Sequence, residues 1–164
     1  MTPAIAEHLA RTFFLEYQAL RGQLMETLAD KDLAFSPGGA NRPLGELCLE
    51  IGEVEQAYVE SFRTFHQDFH WRHPDPAIAT SVERLVAWYA RLDADLTAAL
   101  EAITEADATD RRIRRGAAED AFSLPVTQQL DIYREALLIF YGKVSVYLRA
   151  MGRALPGWFA AWIA

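Results

Sequence analysis

A single cysteine, Cys48, in 164 residues leaves no internal disulfide framework and none of the cysteine-rich zinc motifs. Histidine is scarce as well: His8, His66, His70 and His73 are all there are, and nothing after His73 can supply an imidazole. Charges interrupt every apolar segment well before membrane-spanning length. The N-terminus carries Glu7 and His8 among apolar residues and lacks the basic region and clean apolar stretch of a secretory signal. No glycine-rich phosphate loop, zinc finger or Ser-His-Asp arrangement occurs. Positive charge is the minority sign, giving a formal net charge of -7, and an acidic surface repels phosphate backbones. The expectation is a cytoplasmic protein with no nucleic-acid and no membrane partner.

What the chain does have is helical periodicity. At 51% hydrophobic and 24% charged, it suits one packed domain over residues 1–164. From Pro3 to about Asp30, Ile5, Leu9, Phe13, Leu20, Leu24 and Leu28 recur at helical spacing, with Glu7, Arg11, Arg21 and Glu26 at polar positions. Pro3 suits the first turn, and Gly22 weakens the helix without breaking it. After the breakers around Pro37-Gly38-Gly39, a second helix runs to about Phe65, with Asn41 as its cap and Pro43 in its opening turn. Its stripe is Leu44, Leu47, Ile51, Val54, Tyr58 and Phe62.

Pro74 and Pro76 mark a connection. Thr80 or Ser81 caps a third helix reaching about Thr104. Residues 107–123 are less regular, and Arg112-Ile113-Arg114 fits a short strand or a loop. The fourth helix spans about Pro125 to Met151, followed by a tail rich in aromatics, Trp158, Phe159 and Trp162, that suits a short helix covering one bundle end or a dimer interface. Four amphipathic helices can satisfy their apolar faces together, so the predicted fold is an all-α, antiparallel four-helix bundle with a short C-terminal aromatic helix or tail.

Two blocks carry a family resemblance. Pro43-Leu44-Gly45-Glu46-Leu47, continuing to Glu55, and the stretch from Ile139 through Gly142-Lys143 to Tyr147-Leu148-Arg149-Ala150-Met151-Gly152 resemble the second-helix and last-helix patterns of the DinB/YfiT-like superfamily of helical bundles. That resemblance implies homodimerisation and, in some branches, metal-assisted thiol transfer. It also implies a divalent metal held by one histidine from the second helix and two, spaced i,i+4, from the fourth. The matching positions are Glu50, Ala136 and Phe140, and Lys143 stands where glutamine is common. A carboxylate can coordinate a cation, but alanine and phenylalanine cannot replace imidazole ligands. The expectation is therefore no metal and no cofactor.

Among individual residues, Glu50 lies between Leu47 and Val54, at an angle near the bundle interior, where a carboxylate needs a donor or a positive partner. Tyr17 and Tyr133 are candidates to supply hydroxyl groups to an internal polar cluster, or else simply pack as aromatics. Ala136 and Phe140 complete the pocket candidates. Glu46, Glu50 and Glu53 share helical spacing, but like charges alone make no buried site. His66, His70 and His73 are ordinary for a surface connector, and His8 reads as solvent-facing or as capping a bundle contact. Cys48 has only acidic neighbours in sequence, which do not activate a thiol. The basic run Arg111-Arg112-Ile113-Arg114-Arg115 reads as a solvated connector tempered by Glu119 and Asp120.

Three functions stay open on these grounds. One is a DinB-like protein without the usual metal centre that binds a small molecule or a protein partner. The others are a small-molecule or thiol transferase with a rearranged site, and a structural homodimeric interaction protein.

Overall fold

The computed structural model describes residues 1–116 and 122–163, so Glu119 and Asp120 lie outside the described residues. Its helices are α1 (Pro3–Arg11), α2 (Phe14–Glu26), α3 (Asp30–Leu33), α4 (Leu44–Thr64), α5 (Val82–Ala102), α6 (Glu105–Asp110), α7 (Val126–Ala150) and α8 (Gly157–Ile163). Short strands β1 (His66–Gln67), β2 (Ile113–Arg115) and β3 (Ser123–Leu124) and a 3-10 turn (Pro76–Thr80) fill the connections. The α1/α2 segment, α4, α5 and α7 are the four arms of the predicted bundle. Their stripes meet in one core that includes Leu24, Ile51, Phe62, Leu92 and Leu137.

Contacts between the arms fix their directions. Ser61 and Tyr58 of α4 meet Gln129 and Tyr133 of α7, while Arg42, just before α4, meets Tyr147 near the end of α7, so these two helices are antiparallel. On the other side, Gly52 faces Trp88 and Arg63 reaches Asp95, which puts α4 and α5 in the same direction. The chain achieves this through the long crossover of residues 65–81. Antiparallel pairing therefore holds across α4–α7, and the α4–α5 pair departs from it because its connector is long enough to return to the starting end.

The first helix is not continuous. It breaks at Thr12-Phe13, where Phe13 takes the left-handed conformation at φ 52°. The Thr12 hydroxyl donates to the His8 carbonyl at 2.8 Å, and Phe13 swings out to meet Trp162 of α8 edge-on. Asn41 does not cap α4 either. Its side-chain amide donates to the Gly38 carbonyl (2.8 Å), and Pro43 is itself the N-cap residue. Ser81 caps α5 as expected, through the Arg84 amide.

Glycine permits two close approaches. A Cβ on Gly45 would stand 2.0 Å from the Ala79 carbonyl oxygen, and one on Gly52 would stand 2.3 Å from the Trp88 ring. Both lie in the block Pro43–Glu55, and without side chains there the crossover and α5 pack directly on α4.

Arg112-Ile113-Arg114 resolves mostly into strand. β2 (Ile113–Arg115) pairs parallel with β1 and antiparallel with β3. This small sheet fastens the exit of α4 to the entrance of α7. The basic run is engaged locally: Arg111 pairs with Asp107 and lies over the Phe65 ring, Arg112 bonds Ser123, and Arg115 bonds Gln129 and Tyr58.

Candidate functional site

The seam between α4 and α7 opens into a cleft of about 150 Å³. One stripe of α4 lines it with Leu47, Glu50, Ile51 and Val54, and one stripe of α7 answers with Ala136, Ile139, Phe140 and Lys143. In both stripes the residues stand three or four apart, which places them on a single helical face. Leu47, Ile51 and Phe140 are buried and form the floor, whereas Ile139 remains 60% exposed at the rim. Glu50 and Lys143 are exposed at the mouth, and no ion pair joins them among the described residues.

The structure thus brings Glu50, Ala136 and Phe140 together, from two helices, onto one solvent-open trough. Glu50 sits at its edge, exposed to water, and not in the interior. It also borders a more polar cleft of about 610 Å³ between α4 and the 3-10 turn, shared with Arg42, Glu46, Glu53, Arg72 and His73. Tyr17 and Tyr133 do not line the α4–α7 trough. Tyr17 is half-buried against Trp162, and Tyr133 lies wholly inside the bundle against Phe14 and Tyr58.

A three-histidine metal centre does not fit these residues. The trough offers one carboxylate, a methyl, a phenyl ring and an ammonium, and the ammonium repels a cation. Among the described residues no three His, Cys, Asp or Glu side chains gather closely enough to hold an ion.

The remaining candidates are separately engaged. Glu53 accepts from the His73 amide (3.0 Å) and faces Arg72 at 3.5 Å. His66 bonds the Gly116 carbonyl, His70 stands in solvent, and His73 packs on Trp88 with ring centres 4.7 Å apart. His8 is buried and bonds Asp131 at 3.0 Å, tying α1 to α7. Burial pushes the Cys48 thiol up to about 12, and the Tyr89 hydroxyl donates to the Cys48 carbonyl at 2.6 Å. Such a thiol is not a nucleophile at neutral pH.

The chief polar feature of the interior escaped the sequence reading. Arg21, 1% exposed, bonds the wholly buried Glu55 and also Asp93 (2.7 Å), while Gln18 donates to both acids. The guanidinium lies over the Tyr89 ring at 4.1 Å. Burial works against the Arg21 charge, yet Glu55, Tyr133 and Asp93 together hold its pKa well above the ordinary value. Burial raises the Glu55 carboxyl to about 7, with Arg21 pulling it down and Asp93 pushing it further up. Tyr133 hangs beside this cluster with no hydrogen-bond partner for its hydroxyl among the described residues, and burial, then Glu55, raise its pKa. One signal was present: Glu55 sits four residues after Ile51 and three before Tyr58, on the apolar stripe itself. A charge at such a position asks for a buried partner.

An all-α bundle with a lateral cleft between its second and last arms is the class that this geometry defines. Residues 17–132 match the model of the DinB superfamily, and the chain belongs to that superfamily. Among solved structures it is similar to the DinB-like protein YjoA from Bacillus subtilis, at a TM-score of 0.67 and 19% identity, covering 88% of this chain and 93% of that one. At that identity the likeness concerns the fold alone. No protein of curated function matches the chain.

Proposed function

We propose that this DinB-superfamily chain acts as one domain over residues 1–164 and binds a small molecule in the α4–α7 trough, without a three-histidine metal centre. One observation carries the reading: Glu50, Ala136 and Phe140, which the family resemblance matches to metal-ligand positions, line a single open trough whose floor is apolar. Two of the three positions, Ala136 and Phe140, carry hydrocarbon and the Lys143 ammonium repels a cation, while Glu50 leaves a single carboxylate at the rim; this supports a site for an organic molecule over one for an ion. A volume near 150 Å³ suits a body about the size of a benzene ring.

The test is metal analysis of protein purified without a metal-affinity tag, followed by nickel, zinc and manganese titrations. Weak, non-stoichiometric uptake is expected. Tight stoichiometric binding that disappears in Glu50→Ala would reject the metal-free reading.

Homodimerisation belongs to the same reading. Trp158 of α8 is 63% exposed and packs beside Trp162, which in turn meets Phe13, so an aromatic surface surrounds the break in the first helix. Light scattering over a wide concentration range is expected to find a dimer, and monomer throughout would dismiss it. Among the described residues no helix is long and apolar enough to cross a membrane.

A further inference from the structure

The trough has two unneutralised charges of opposite sign at its mouth, and they restrict what it can hold. Glu50 and Lys143 come from different helices, border the same apolar floor, and carry no hydrogen bond or ion pair to any described residue. Glu53 is engaged by the His73 amide and by Arg72, and Glu55 by Arg21 and Gln18; Glu46 is as free as Glu50 but lines the polar cleft on the far side of α4, so Glu50 is the carboxylate that borders the apolar floor. An apolar trough flanked by one anion and one cation complements a molecule with an apolar body and both charges. From this we infer that the ligand is a small zwitterion, of the type of an apolar α-amino acid. Its ammonium pairs with Glu50, its carboxylate with Lys143, and its benzene-sized side chain lies on Leu47, Ile51 and Phe140. The inference rests on the proposed reading of the trough as a ligand site and adds the chemical class.

Rival ligand classes lack one of these complements. A purely hydrophobic molecule leaves both charges unused, and an inorganic cation meets Lys143. Lysine in place of the family's more usual glutamine, noted in the sequence, supplies the positive end.

The experiment titrates the full chain by calorimetry or ligand-observed NMR with four probes sharing one ring. These are phenylalanine, 2-phenylethylamine (no carboxylate), 3-phenylpropionate (no ammonium) and benzyl alcohol (no charge). Phenylalanine is expected to bind about tenfold tighter than either singly charged probe, the scale of one charge-assisted contact at a partly exposed site. Glu50→Gln should abolish the preference over phenylpropionate, and Lys143→Met the preference over phenylethylamine. Ala136→Phe should block all four by filling the trough. Should that variant fail to fold, the neutral Ile139→Asn at the exposed rim removes hydrocarbon from beside the ring without adding charge and should weaken all four. Equal binding of the four probes, still abolished by the blocking variant, would overturn the zwitterion assignment and leave the ligand site standing. No binding by any probe up to its solubility limit would overturn both.

Discussion

Replacing Arg21 with methionine removes the cation at the centre of the bundle and leaves Glu55 wholly buried, with only Gln18 of its former donors. At pH 8, where Glu55 is ionised in the parent, breaking the buried pair by deleting one partner costs about 3–5 kcal/mol, because the survivor keeps its desolvation penalty without its Coulombic return or must take up a proton. In a domain of this size each kcal/mol lowers the melting midpoint by roughly 2–4 °C, so Arg21→Met should melt about 6–20 °C lower than the parent. Converting Glu55 to methionine as well should recover most of the loss, since Asp93 is partly exposed and returns to water.

The dependence on pH follows from the raised Glu55 pKa. An acid whose folded pKa lies at about 7, against 4.5 ordinarily, binds its proton more tightly in the folded state. Its contribution to stability is therefore largest below pH 4.5 and declines as pH rises toward 7. Without Arg21 the only strong influence lowering that pKa is gone, and the carboxyl rises further. Well below pH 7 Glu55 is protonated in both folded proteins, so the deficit of Arg21→Met should be smallest and flat there and should grow as pH rises through about 7. Urea unfolding of parent, both single mutants and the double mutant at pH 4.5, 6 and 8 measures this directly. A loss under about 1 kcal/mol at pH 8, or one no larger at pH 8 than at pH 4.5 and 6, would refute the account of the cluster.

Other outcomes follow from steric and thiol chemistry. Gly45→Ala and Gly52→Ala should each destabilise by about 1–3 kcal/mol, since their new Cβ atoms run into a backbone carbonyl and a packed indole. Gly22→Ala and Gly142→Ala, in open space on helices, should stabilise by about 0.5–1 kcal/mol; chemical denaturation separates the two classes by sign. Cys48 should resist alkylation at pH 8 in the native protein and react at once in denaturant. Rapid labelling of folded protein would contradict its burial.

The stripes of α4, α5 and α7 were legible because burying an apolar face requires a helical period, and nothing in those segments competes with it. The break at Thr12-Phe13 was not, since neither residue is a backbone breaker. At the break Thr12 bonds back to the His8 carbonyl and Phe13 leaves the first-helix stripe to meet Trp162, a contact that the spacing of residues does not encode. Arg21 reads in sequence as an outward polar position, and only the packing of α2 against α4 and α5 turns it inward onto Glu55 and Asp93. Glu50 shows the opposite displacement. Its angle lies near the interior, but the α4–α7 seam stays open there and water reaches it. Which positions would share the trough came from the family resemblance, because periodicity assigns a face and not the face opposite.

The seam between α4 and α7 is fastened unequally at its two ends. Beyond Thr64 the three-stranded sheet and the Ser61–Gln129 bond hold it with several linkages, whereas at the opposite end a tie comes from the Tyr147 hydroxyl donating to the Arg42 carbonyl at 2.7 Å. With fewer ties there, the tyrosine end is the weaker closure of the seam, and the strand end is the firmer one.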